Sequence, residues 1–333
     1  MADAGSIREM NFSLVRAALA DGEARTKTEL ARRTGLSFPT VGHTVDALAG
    51  TGELVEQGLC ASTGGRAAMA YALDPLFQQA LLLRLEGERL RWSVCDRFGT
   101  VMRHGALDGA SGHQDQAATW IQREQVRNPQ LDVVAFGIAA NVREGVVCDT
   151  MYYPELRGVN LRTVLQDRCG LPVAVENDVN AAAMGYWAAH RDELREAVTC
   201  LYWGENGVGA CTIVGGKCLR GANNLAGELC YLPYFQANLP AEHISPDDAV
   251  RRYVEMICMI VVLIDPERIV LYKSSLPEGQ LDKISAACAQ RLPAAPALVL
   301  SDFGRDYQRG LADLAARARR GIDGRDAKER PGG

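Results

Sequence analysis

The chain is predicted to be an α/β protein in two parts, a winged helix-turn-helix followed by a larger mixed α/β body. Three observations predict this. Residues 1–75 carry apolar positions at helical spacing, punctuated by glycine turns, and end in two strand-like runs around a glycine tip. From residue 80 short apolar strands alternate with helical stretches. The 333 residues, 47% hydrophobic and 23% charged, fit two or three domains with a sizeable core and no need of disulfides.

Ile7, Leu14, Val15, Ala18 and Leu19 fall on one face of a first helix, which Asp21-Gly22 ends. Thr26-Lys27-Thr28-Glu29 has the capping-box pattern and opens a short helix, Lys27–Arg33. Gly35 supplies the turn. Ser37 caps a third helix, with Pro39 tolerated in its first turn and Val41, Val45 and Leu48 pointing inward. Gly50-Thr51-Gly52 stops it. Residues 54–56 and 69–73 read as strands on either side of the tip Ser62-Thr63-Gly64-Gly65-Arg66, and Asp74-Pro75 marks the boundary.

In the second part, strands are expected at 81–85, 89–95, 100–104, 133–138, 173–175, 197–203, 210–214 and 268–272. Helices are expected at 114–126, 161–169, 179–189, 246–264, 278–291 and 307–320. The polar end, 321–333, reads as disordered. No repeat stands out at solenoid periods.

Net charge is −5, so nothing global announces nucleic acid, although a local basic surface can still bind it. The ten cysteines are scattered with no Cys-x-x-Cys pair, which reads as free thiols in a reducing cytosol. The longest apolar run is too short to span a membrane, and the first residues lack a signal-peptide pattern. A cytoplasmic location and no membrane partner are therefore expected.

Two helices joined by a glycine turn, the second followed by a ribbon, suit double-stranded DNA. The third helix must bury one face and present the other to the major groove. Ser37, Phe38, Thr40, His43 and Thr44 are expected on the exposed face, with Arg32 and Arg33 on phosphates and Arg66 in the minor groove. Acidic groups outnumber the basic ones over residues 1–75, and a protein-binding or dimerisation module has the same pattern.

The run "NFSLVRAAL", "TKTELARRTGLSFPTVGHTVDALAGTGELVE", "STGGRAAMAYAL" resembles the N-terminus of ROK-family (repressor, open reading frame, kinase) repressors. The Thr-Gly-Gly-Arg tip is the most distinctive feature. The resemblance implies Ser37–Thr44 as the reading helix, Arg66 as the wing contact, and a two-lobed actin-like, sugar-kinase-like domain over residues 76–320. It also implies a homodimer on a two-fold-related operator, switched by closure of the cleft between the lobes.

Glu176-Asn177-Asp178-Val179-Asn180 resembles the family motif that carries a sugar ligand, at Asn177, and the catalytic Asp, at Asp178. In "RGANNLAGELCYL" Glu228 matches the sugar-binding Glu, while Tyr231 stands where the family has a zinc-binding His. Residues 233–246 contain one His, His243, and no Cys, so no structural zinc is expected.

The phosphate loops depart from the pattern. Asp-x-Gly-Gly-Thr is replaced by Leu85-Glu86-Gly87-Glu88-Arg89, and the second glycine loop reads Gly204-Glu205-Asn206-Gly207-Val208-Gly209. Glu86, Glu88 and Glu205 put negative charge where phosphates would sit. The expectation is a repressor with no catalytic residue and no cofactor, sensing a sugar-like effector through Asn177, Asp178, Glu228 and Tyr231. A sugar kinase with an unusual nucleotide site and an effector-independent regulator remain the alternatives, and Asp178 and Glu228 also read as a helix cap and a partner of Arg220.

Overall fold

A computed structural model describes residues 4–60, 67–109, 113–204, 207–232, 244–274, 276 and 279–321. Their contacts divide into two compact units, Met1–Gln79 with Asp96–Thr100, and the rest. Among the described residues no helix is long and apolar enough to cross a membrane.

The first unit runs α1 (Ala4–Ala18), β1 (Arg25–Thr26), α2 (Lys27–Thr34), α3 (Phe38–Gly50), β2 (Leu54–Cys60) and β3 (Ala68–Leu73). The strands form an antiparallel sheet in the order β1-β3-β2, which is the winged helix-turn-helix arrangement. The capping box forms as the sequence requires: Thr26 Oγ1 accepts from Glu29 N, and Glu29 Oε2 accepts from Thr26 N at 2.8 Å. Gly35 closes α2 in the left-handed conformation, φ 72°, and Ser37 caps α3. Val15, Leu19, Leu30, Val41, Val45 and Leu48 bury between the helices and the sheet. Ile7 and Leu14, expected inward, are exposed, because the inward stripe of α1 runs instead through Phe12, Val15, Ala18 and Leu19.

The second unit begins with β4 (Gln79–Glu86), β5 (Arg89–Cys95), β6 (Val101–Asp108), α4 (His113–Arg127), β7 (Leu131–Ile138), β8 (Asn141–Arg143) and β9 (Val146–Asp149). It continues with α5 (Leu161–Cys169), β10 (Val173–Asn177), α6 (Asp178–His190), β11 (Val198–Gly204), β12 (Gly207–Val214) and β13 (Lys217–Cys218). It ends with α7 (Pro246–Ile264), β14 (Arg268–Tyr272), α8 (Leu281–Arg291), β15 (Ala297–Ser301) and α9 (Phe303–Arg319).

Its two five-stranded sheets have orders β10-β7-β4-β5-β6 and β13-β12-β11-β14-β15. Each has a three-stranded antiparallel meander, and parallel pairs complete each sheet at β7–β10 and β11–β14–β15. Helices α6 and α9 pack together in the core with residues of both sheets, Ala135 and Val270 among them. That is the two-lobed, actin-like plan. The hairpin β8–β9 and the strand β15 are absent from the sequence expectation.

Candidate functional site

In the first unit, Arg32 and Arg33 occupy the last turn of α2, and both are exposed. Phe38 is 56% exposed at the start of α3, His43 is exposed one turn on, and Thr40 is half-buried. Ser37 Oγ accepts from Thr40 N at 3.3 Å, and the two hydroxyls share a hydrogen bond of 2.8 Å. Thr44 corrects the sequence expectation. It is buried, not exposed, and its hydroxyl donates to Thr40 O at 2.8 Å. The reason is helical spacing: 41, 44, 45 and 48 lie on one side, so Thr44 belongs to the inward stripe. Arg66, with the 62–66 tip, lies outside the described residues.

In the second unit a cleft with a cavity of about 60 Å³ opens between the two sheets, and Asn177, Asp178, Glu228 and Tyr231 all line it. Each is placed by local chain logic. Strand β10 delivers Asn177 as the cap of α6: its Oδ1 accepts from Asn180 N at 2.9 Å and its Nδ2 donates to Ala140 O at 3.0 Å. The cap is therefore Asn177, not Asp178. Asp178 is the first helical residue, buried, with Oδ1 accepting from Val179 N at 2.8 Å. A carboxylate at a helix N-terminus is stabilised by the helix dipole.

Gly227 holds Glu228 in place. Its φ is +89°, and a Cβ there would stand 1.8 Å from Ala210 O, so only glycine lets this loop approach β12. Burial, and then the charges of Asp178 and Asp149, push the Glu228 carboxyl up from the usual 4.5 to about 7. A carboxyl whose folded value is raised holds its full stability below its unfolded value and loses it as pH rises towards 7. Glu228→Gln is expected to stabilise the chain by about 1–2 kcal/mol at pH 8, discounted for partial solvation, with no gain near pH 4. Thermal denaturation at the two pH values checks this. An equal change at both would remove the ionisation argument.

Tyr231 donates its hydroxyl to Asp149 Oδ2, and Arg157 Nε reaches Asp149 Oδ1 at 2.9 Å. The proton that Tyr231 gives Asp149 is held more tightly than in a free phenol. Arg220 does not pair with Glu228. Its guanidinium grips Glu176 through two hydrogen bonds, 2.5 and 3.1 Å. Glu176 also accepts from Asn177 N and Asn180 Nδ2, so its carboxylate is occupied. Asn141 and Asn224 exchange side-chain and backbone hydrogen bonds of 2.8–3.1 Å that pin the 220–228 loop to β8. Asp149, Asn141 and Arg220, the last held by Glu176 behind the pocket wall, are features that the sequence reading missed. The fixed spacing of Asn141 and Asn224 to their neighbours held no local signal, but Glu176 and Arg220 both lay inside the quoted motifs.

One expectation about charge needs adjustment. Glu86 does not stand uncompensated, because Arg91 Nε reaches it at 2.6 Å and Arg84 Nε at 3.8 Å, across and along the β4–β5 hairpin. Repulsion of phosphate by Glu86 is correspondingly reduced. Glu205 lies outside the described residues, as does His243. Among the described residues no group of three His, Cys, Asp or Glu side chains is arranged for a metal ion. Cys230 and Tyr231, the latter committed to Asp149, do not fit a four-ligand zinc site.

Residues 113–239 match the ROK family model. A xylose repressor of Caldicellulosiruptor bescii is 24% identical over 239 residues, 67% of this chain and 58% of that protein. A glucokinase of Streptomyces coelicolor is 30% identical over 204 residues, 56% of this chain and 61% of that one. The chain spans between 36% and 62% of the lengths of the curated relatives it matches. A crystal structure of a ROK-family transcriptional regulator, a homologue of the E. coli MLC protein, superposes with TM-score 0.69 at 18% identity, covering 95% of this chain and 98% of that one. That likeness fixes the fold, from the winged helices through both lobes. The stretch that matches the ROK family model, residues 113–239, includes the Asn177, Asp178, Glu228 and Tyr231 positions that line the pocket.

Proposed function

We propose that this protein is a DNA-binding transcription regulator, a repressor, whose second unit binds a sugar-like effector without phosphorylating it. The observation that carries the reading is the helix pair α2–α3. Its buried stripe is satisfied within the first unit, while Arg32, Arg33, Phe38 and His43 are left facing water. Exposed cations beside an exposed helix face are what phosphate contact and groove reading require. The likeness to the xylose repressors supports this. The operator-bound form is proposed as a homodimer, because two-fold-related half-sites demand a two-fold protein.

The effector reading rests on Asp178, Glu228 and the backbone-anchored Asn177 around one pocket, a set of acceptors and donors suited to vicinal hydroxyls. Footprinting on the DNA upstream of its own coding region tests the main reading. Protection of two half-sites about one helical turn apart supports it, and no protection at low salt sinks it. Arg66→Ala is expected to weaken that binding by about 1–3 kcal/mol, roughly five-fold to more than a hundred-fold. Unchanged affinity at matched salt removes Arg66 from the contact set.

A sugar kinase is the second reading. It is favoured by Asp178 at the helix start and by the glucokinase likeness, and the ion pairs of Glu86 weaken the case against it. ATP with magnesium raising the melting temperature, with phosphate then transferred to a hexose, would favour the kinase.

A further inference from the structure

Strands β11, β12 and β13 carry a row of cysteines across one face of the second sheet. Cys200 on β11 stands directly opposite Cys211 on β12. Cys218 on β13 pairs with Ile213, which sets it diagonal to Cys211 on the same face. The neighbouring Cys218 side chain is the first cause that pushes the Cys211 thiol well above its ordinary value, with burial second. All three are free thiols, and they differ in access: Cys200 and Cys211 are buried, whereas Cys218 is only partly so.

We propose that Cys211 and Cys218 form a reversible oxidation site, closing to a disulfide on reaction with a peroxide. Its position favours this. Strand β13 is two residues long and lies at the sheet edge, directly after the turn Gly215-Gly216 with φ values of 55° and 78°. An edge strand held by so short a ladder makes the small shift that disulfide geometry demands. The backbone continues the register, with Leu219 N donating to Thr212 O at 2.8 Å, which brings Arg220 opposite Cys211. Its guanidinium is held there by Glu176 through two hydrogen bonds, 2.5 and 3.1 Å.

The chemistry balances with hydrogen peroxide as oxidant. The Cys218 sulfur attacks one peroxide oxygen, the O–O bond breaks, and one water leaves, giving a sulfenic acid. The Cys211 sulfur then attacks the Cys218 sulfur and displaces the hydroxyl as a second water. Two thiols lose two electrons and two protons, and the peroxide is reduced. The disulfide lies beside Arg220, which walls the proposed effector pocket, but the oxidation itself does not depend on the effector reading.

Trypsin makes the test direct, because Lys217 separates the two cysteines. The full chain is treated with a few equivalents of peroxide, its free thiols are blocked, and it is digested. The expected product is the tripeptide Cys218-Leu219-Arg220 linked to the peptide 196–217, two hydrogens lighter than the sum of its parts, with fragmentation locating the bond at Cys211. Dithiothreitol should return both peptides, and Cys218→Ser should abolish the product. Blocking of both thiols after peroxide, a bond to Cys200 instead, or Cys218 carried on to the sulfinic acid unlinked would each overturn the proposal.

Discussion

Glu53→Ala is expected to destabilise the first unit by about 3 kcal/mol, seen as an earlier urea midpoint for the helical signal. Glu53 is 3% exposed, yet nothing in its local sequence marks it as buried. Its Oε1 accepts from Arg16 Nε at 2.9 Å and from Arg97 Nη2 at 3.1 Å, and its Oε2 from Arg16 Nη2 at 2.9 Å. Arg97 comes from the 96–100 segment that belongs to the same compact unit. Truncation leaves the Arg97 guanidinium buried without a counter-charge, with its Nη1 already unpartnered. An uncompensated buried charge costs more than the pair itself gains. Arg16 is about one-third exposed, which sets the estimate at the low end of the range.

Burial alone would raise the Glu53 carboxyl, but the hydrogen bonds and charges of Arg16 and Arg97 outweigh it, and the group sits below its ordinary value. A depressed carboxyl contributes stability above its unfolded value of about 4.3, and that contribution is lost as pH falls through the folded value. The wild-type advantage over Glu53→Gln should therefore hold at pH 7 and shrink below pH 4. A difference under 1 kcal/mol at pH 7 would show that the two guanidinium groups find water instead.

What was legible in the sequence was local. The Thr26–Glu29 box, the Ser37 cap and the Gly35 turn each involve residues within four positions, so pattern alone located α2 and α3. Helices α5 and α7 begin and end at the expected residues for the same reason, with Asn160 and Ser245 as caps. Strand β15 was missed because its residues are half-exposed and follow Pro293 and Pro296, which read as loop. The likeness of the two sheets is likewise invisible in the residues, since it is carried by strand order and not by repeated side chains.

The pocket was half legible. Asn177, Asp178, Glu228 and Tyr231 come together as their motifs implied, but partners set by distant contacts did not show. Arg220 goes to Glu176, 44 residues away, and Tyr231 to Asp149, 82 residues away. Thr44 failed for a different reason. A hydroxyl that can satisfy itself on the i−4 carbonyl of its own helix is tolerated on a buried stripe, so its polarity was a poor guide to exposure.

Gly310→Ala is expected to cost at least about 3 kcal/mol, enough to leave much of the chain insoluble on expression. Helices α6 and α9 cross with their backbones in contact. A Cβ at Gly310 would lie 1.7 Å from Ala181 O, and one at Gly185 would lie 1.9 Å from Asp306 O. Both obstacles are main-chain atoms inside helices, which cannot rotate away as a side-chain tip does. One methyl must therefore drive the helices apart by more than 1 Å, through a core that both sheets share. Gly304→Ala is the control. It lies at the start of the same helix, and its nearest neighbours are side-chain atoms at 3.6 and 3.9 Å, so it should cost less than 1 kcal/mol. Equal losses from the two would mean that the crossing yields easily. The consequence reaches the pocket, because α6 starts at Asp178 with Asn177 as its cap. A displaced α6 carries both residues with it. Any Gly310→Ala protein that does fold should then bind the proposed sugar-like effector more weakly, without any pocket side chain having changed.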